Sequence, residues 1–227
     1  MRFLQLQNDG TFSLVTRTGS DIPPYAVLSH TWGSSNDEVL LQDIVSGTGK
    51  DNTKAGYHKL RFCGQQARED YCDSAQCYVY LTDVSTEKRE ADYDISSRTW
   101  EQAFRASRWF SRGWTLQELI SPRRVKFYSK EGQYLGDKSS LEQIIHEITR
   151  IPILALQNAP LREFSIKERM TWIGNRRTTL EEDKAYSLLG IFDVSMGAIY
   201  GEGTDKAFKR LQKEIKETWG ETFSPLT

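Results

Sequence analysis

The chain has 227 residues, 38% of them hydrophobic, with 30 basic and 31 acidic side chains and a net charge of −1. That is enough apolar material for a packed core, which excludes global disorder. No basic excess marks a nucleic-acid footprint, no apolar run approaches the ~18 residues of a membrane span, and MRFLQLQNDG lacks the apolar stretch of a secretory signal, so a cytoplasmic setting is expected.

Phe3 to Leu6 and Thr11 to Val15 read as two short strands around the turn Asn8-Asp9-Gly10. Pro23 and Pro24 hold the next stretch extended. Tyr25 to Ser29, short and apolar, suits a buried strand of a parallel sheet. His30-Thr31-Trp32-Gly33 follows at its C-terminal end, where open α/β sheets bind ligands. A helical turn is expected over Leu40 to Val45. A helix is expected over Ala55 to Glu69, where Tyr57, Leu60, Cys63, Gly64 and Ala67 keep helical spacing. Cys77 to Leu81 is a second buried strand, and the charged stretch Ser85 to Ser97 reads as a surface loop.

Arg98 to Trp109 reads as a helix with Trp100, Phe104 and Ser107 on one face. Arg112-Gly113 breaks it, Thr115 to Ile120 continues helical, and Arg124 to Tyr128 is a third strand. Ser139-Ser140 should cap an amphipathic helix carrying Leu141, Ile144, Ile145 and Ile148. Ser165 and Glu168 form a capping-box pattern opening a helix through Trp172. Glu181 to Ile191 and Asp205 to Trp219 are two further helices, the last ended by Gly220. Strand signals therefore stop at Tyr128, and a soft boundary falls near Ile151 to Pro160.

Three clusters compete as sites. At the strand end, Trp32 can stack on a planar ring and Gly33 can bring backbone N–H groups to a phosphate or ribose; the same residues serve equally as a core plug and a turn. In the second, Trp114 and Glu118 lie one helical turn apart behind Arg108 and Arg112, which pair either phosphates or surface carboxylates. The third, Tyr200-Gly201-Glu202-Gly203, opens the last helix, where a plain glycine turn explains the residues better than an anion site. His30 has no partner histidine in view for acid–base work. Cys63, Cys72 and Cys77 are odd in number and form no CxxC pair, so buried free thiols are expected rather than a zinc site. Walker, GxGxxG, GxSxG and HExxH motifs are absent.

YAVLSHTWG (Tyr25 to Gly33), GYHKLRFCGQQARED (Gly56 to Asp70) and SRWFSRGWTLQELISPRRVKFY (Ser107 to Tyr128) resemble the heterokaryon-incompatibility (HET) domain of filamentous fungi. FSIKERMTWIGNRRTTLEEDKAYSLLGIFDVSMGAIYGEG (Phe164 to Gly203) resembles the helical segment after that domain in vegetative incompatibility proteins of the HET-E type. The resemblance implies a fungal self/non-self recognition module that triggers programmed cell death, a form of innate immunity. It implies an α/β fold with the TIR-like, flavodoxin-like parallel sheet flanked by helices over residues 1–150, followed by a helical extension over residues 151–227. TIR enzymes cleave NAD with a glutamate in a W-C-x-x-E-L pattern, and Trp114-Thr115-Leu116-Gln117-Glu118-Leu119 is similar, with Thr115 at the cysteine. Glu118 is thereby the candidate catalytic residue, with Ser29, His30, Trp32, Gly33, Arg112 and Trp114 as candidate ligand-binding residues. NAD enters as substrate, with no cofactor and no metal. Expected partners are proteins, a second copy or a NACHT-type receptor, without chemistry in the alternative of a pure interaction module.

One departure stands out. In the family, the helix ending near Asp70 is followed by a strand of the type WVDTCCIDK and a further helix. Here Asp70 runs into Tyr71-Cys72-Asp73-Ser74-Ala75-Gln76-Cys77, so an inner strand–helix unit is expected to be missing. An inner strand lost from a parallel sheet leaves backbone groups unpaired unless its neighbours close up. A degenerate or truncated, inactive paralogue, or the product of a mispredicted splice, is the corresponding third expectation.

Overall fold

The computed structural model describes residues 1–34, 36–45, 54–70, 76–87 and 100–220. The chain opens with an antiparallel hairpin of β1 (Arg2–Leu6) and β2 (Phe12–Thr16). Gly10 turns it at φ 80°, and the Asp9 carboxylate accepts from the Thr11 N–H and hydroxyl. Then come β3 (Ala26–His30), the short α1 (Leu41–Val45), α2 (Gly56–Glu69) and β4 (Gln76–Tyr80). After α3 (Glu101–Arg105) and a 3-10 turn (Arg108–Ser111), α4 (Thr115–Ile120) leads into β5 (Arg124–Tyr128) and β6 (Tyr134–Asp137). The rest is helical: α5 (Glu142–Thr149), α6 (Ile153–Leu156), α7 (Ile166–Thr171), α8 (Asp183–Tyr186), α9 (Leu189–Phe192) and α10 (Thr204–Trp219).

The main sheet has the order β3-β4-β5-β6, with the first three strands parallel and β6 antiparallel. β3 pairs directly with β4, Val27 opposite Cys77 and Ser29 opposite Val79. The sheet has therefore closed up, and no solvated gap interrupts it. α2 lies in the long crossover that two parallel neighbours require, and among the described residues no strand stands between β3 and β4.

Alternation along β4 builds the two faces. Cys77 and Val79 point into a core with Val125, Phe127, Phe104, Trp109, Leu116, Leu119 and Ile145. Tyr78 and Tyr80 point the other way, where Tyr128 and the Phe62 ring of α2 cover them, Phe62 and Tyr128 meeting edge-to-face at 4.8 Å. The first core runs without a break through Ile151, Trp172, Ile191, Phe192, Leu211 and Ile215. The soft boundary between residues 1–150 and 151–227 thus falls inside one continuous apolar interior. Among the described residues, no helix is long and apolar enough to cross a membrane.

Where elements depart from expectation, a side chain is responsible. The helix expected through Trp109 stops at Arg105, because the Asp83 carboxylate accepts from the Ser107 hydroxyl and the Arg108 N–H at 2.8 Å each and turns the chain extended at Ser107. α5 begins at Glu142 without a serine cap, since Ser140 and Asp137 bond each other reciprocally instead. The helix expected over Glu181 to Ile191 is split into α8 and α9. The Gln117 side-chain amide donates to the Ser187 and Tyr186 carbonyls, which a continuous helix would use itself. The capping box of Ser165 and Glu168 is formed. Residues 88–97 of the charged loop, the start of the expected helix at 98–99, and the link 71–75 with Cys72 lie outside the described residues.

Candidate functional site

The break at Arg112-Gly113 is held from outside the sheet. Arg177 N–H donates to the Ser111 carbonyl at 2.7 Å, and Gly113 N–H donates to the Arg177 carbonyl at 2.9 Å. A Cβ on Gly113 would stand 2.4 Å from Thr178 Cγ2, so only glycine permits this approach. Gly113→Ala is expected to lower stability by about 1–3 kcal/mol, the usual penalty of overpacking. Thermal denaturation checks this, and adding Thr178→Ala should recover part of the loss.

Beyond Gly113, burial of Leu116, Leu119 and Ile120 seats α4 on the sheet. Glu118 is thereby turned toward β3. The Ser29 hydroxyl donates to Glu118 Oε2 at 2.5 Å, and the fully buried Trp109 donates its Nε1–H to the same hydroxyl oxygen at 2.7 Å. An indole N–H only donates, so Trp109 fixes the direction: it fills the serine acceptor and sends the serine proton to the carboxylate. Charge-assisted bonds of this kind are short and strong. Burial pushes the Glu118 carboxyl above the usual carboxylate range, while the Ser29 hydroxyl and the charges on Arg112 and Arg176 pull it down.

Arg176 is buried, and its Nη1 donates to the Arg112 carbonyl at 2.9 Å and the Thr115 hydroxyl at 2.7 Å. Its Nη2 is buried with no hydrogen-bond partner. Burial lowers its pKa to about 10 against the opposing pull of Glu118. Thr115, where the TIR pattern has cysteine, thus anchors a guanidinium.

The remaining candidates divide by face. His30 lies on the α2 side, opposite Tyr80 in the register, where Lys59 Nζ sits 3.3 Å from its Nδ1. Burial and the Lys59 charge hold the His30 imidazole below its ordinary pKa. The Gly33 N–H donates to Glu38 Oε1 at 2.7 Å, and Lys59 Nζ donates to the same oxygen at 2.7 Å. The backbone group that glycine was expected to offer a phosphate is therefore taken by a carboxylate. Trp32 is 56% exposed, and beside it opens a cavity of about 230 Å³ lined by Thr31, Trp32, Arg108, Arg112, Arg177 and Thr178. Trp114 is 41% exposed and does not line that cavity.

So the structure brings Ser29 and Glu118 together; neither lines the cavity beside Trp32, and Arg112, which does, acts on the Glu118 carboxyl through its charge. The structure leaves His30 and Gly33 to a separate Glu38–Lys59 cluster. Trp109, Arg176 and Arg177 were not singled out from the sequence as site residues; the run Arg176-Arg177-Thr178-Thr179, dense in cations and hydroxyls, was the available signal. In the third cluster, Gly201 N–H and Gly203 N–H donate to Glu182 Oε1 at 2.7 and 3.1 Å, so a protein carboxylate occupies that glycine turn. The Cys63 and Cys77 thiols are free and pushed up by burial, Cys63 to about 12.

Over an alignment of 224 residues the chain is 48% identical to the vegetative incompatibility protein HET-E-1 of Podospora anserina. The match covers 86% of this chain and 16% of that protein. As 86% of 227 residues is about 195, about 30 aligned residues of the relative have no counterpart here, room for one strand–helix unit. No family model and no solved structure matches the chain.

Proposed function

Over the region it shares with HET-E-1 the chain belongs to the HET-E type of vegetative incompatibility proteins, and from that premise we propose that it is a self/non-self recognition module whose cell-death signal is made by cleaving NAD. The observation that carries the chemistry is the Glu118 carboxylate, half-buried, oriented by Ser29 and facing the field of Arg112 and Arg176. A carboxylate held in this way stabilises an oxocarbenium-like centre, as in glycoside cleavage. The nicotinamide–ribose bond breaks with its electron pair leaving on nicotinamide, and water adds to the ribose carbon to give ADP-ribose and a proton. Trp32, exposed at the rim, stacks a planar ring, and Arg112 faces the pyrophosphate. The TIR-like ancestry of the sheet is part of the same proposal, supported by its parallel β3-β4-β5 core. The module answers to a protein partner, a NACHT-type receptor or a second copy of itself.

Purified chain incubated with NAD should release nicotinamide and ADP-ribose in equal amounts. A cooperatively unfolding chain that releases neither would sink the enzymatic reading. Death signalling that survives Glu118→Ala would replace it with an interaction module that signals by contact alone.

A further inference from the structure

Arg112 and Arg177 form an isolated parallel bridge, so they stand directly opposite each other on neighbouring segments. Like charges in that position repel and destabilise the pairing. Neither side chain makes an ion pair or a hydrogen bond among the described residues, and Arg112 feels Glu118 only through its charge. Arg108, on the same rim, reaches Asp83 only at 3.7 Å and is otherwise exposed. The three arginines line a cavity of about 230 Å³ with Trp32 and the hydroxyl-bearing Thr31 and Thr178. That volume is below the ~300–1,000 Å³ typical of a whole-ligand pocket, so it suits a fragment and not a complete dinucleotide. Alternation explains why the segment carries two arginines in a row: Arg176 turns inward to Thr115 and the Glu118 field, and Arg177 turns outward to the cavity.

We propose that Arg108, Arg112 and Arg177 form a diphosphate subsite for nucleoside-diphosphate ligands, with Arg177 contributed by the segment downstream of the sheet. Diphosphate is the chemistry that removes the Arg112–Arg177 repulsion, because it presents several acceptor oxygens to two forked donors at once. A monophosphate engages fewer of them. The subsite deepens the NAD reading, on which its biological substrate rests: ADP is the part of NAD, and of its product, that would sit here. It makes residues 176–178 a functional element, since their backbone holds Arg112 in place while their side chains serve both Glu118 and the cavity.

Isothermal titration of the 227-residue chain with ADP, AMP and inorganic pyrophosphate tests this. ADP and pyrophosphate should bind, AMP about tenfold or more weaker, as one lost charged hydrogen bond implies. Arg177→Ala should weaken ADP about tenfold or more for the same reason, with a melting temperature no lower than the parent's, because its side chain is exposed and its removal relieves the repulsion with Arg112. Absence of ADP and pyrophosphate binding, or equal affinity in Arg177→Ala, overturns the subsite. A chain that binds ADP through Arg177 yet releases no nicotinamide keeps the subsite and loses only the hydrolase. Nicotinamide release without ADP binding does the reverse.

Discussion

Glu118→Gln is expected to cut nicotinamide release by about a hundredfold or more, the scale set by removing one preorganised electrostatic group, without lowering stability at neutral pH. Glutamine keeps the size of the side chain and accepts the Ser29 proton through its amide oxygen, so the Trp109–Ser29 arrangement survives. It removes the charge that burial opposes. Because burial raises the folded-state pKa of Glu118 above its unfolded value, the favourable contribution of the protonated carboxyl is whole below about pH 4. That contribution is lost as pH rises through the folded value. The melting temperature of the variant should therefore meet or exceed that of the wild type at neutral pH, and the gap should shrink on acidification. Wild-type nicotinamide release, which needs the ionised form, should fall with acid at a higher pH than an ordinary carboxylate would dictate. Equal release from both proteins would take Glu118 out of the chemistry, and a large loss of stability would mean that its role is packing.

Arg176→Met should be the most damaging single change near the site, costing about 3–5 kcal/mol, as loss of two hydrogen bonds from a buried guanidinium does. Methionine fills comparable space but abandons the Arg112 carbonyl and the Thr115 hydroxyl. It also leaves Glu118 half-buried without one of its two cationic neighbours. Lysine should not restore the arrangement, because a single ammonium lacks the planar fork. The decisive measurement is a double-mutant cycle by denaturant unfolding. Arg176→Met combined with Glu118→Gln should lose less than the sum of the two, since the stranded charge is gone. Strict additivity would mean that Arg176 acts through packing alone and does not address Glu118.

The strands from Phe3 to Tyr128 announce themselves in short apolar or alternating runs, and each lies within a residue or two of where its pattern puts it. β6 does not: it is four residues long, carries Gly136 at φ 148° and looks like turn. The Glu118 contact with Ser29 spans 89 positions, and the aromatic and acidic residues around the Gly113 break marked one end of it in advance. The other half of the site did not announce itself. Arg176 and Arg177 sit in a short non-helical link with no periodicity, and nothing local says that their backbone will pair with residues 111–113. Likewise, the burial of Trp109 rather than Trp114 follows from the extended turn at Ser107, which Asp83 imposes from a distant loop.

The direct pairing of β3 with β4 bears on how such a chain tolerates deletion. In a parallel arrangement each strand and its return helix begin and end at the same edge of the layer. Excising one such module leaves two cut ends that already face one another, and the strand that slides into the vacancy keeps its direction and its hydrogen-bonding partners. Removing a single strand from an antiparallel meander would reverse every later segment. Genes for this architecture can therefore shed an entire module as a quantum, and a shortened product with an intact ladder is what that route delivers.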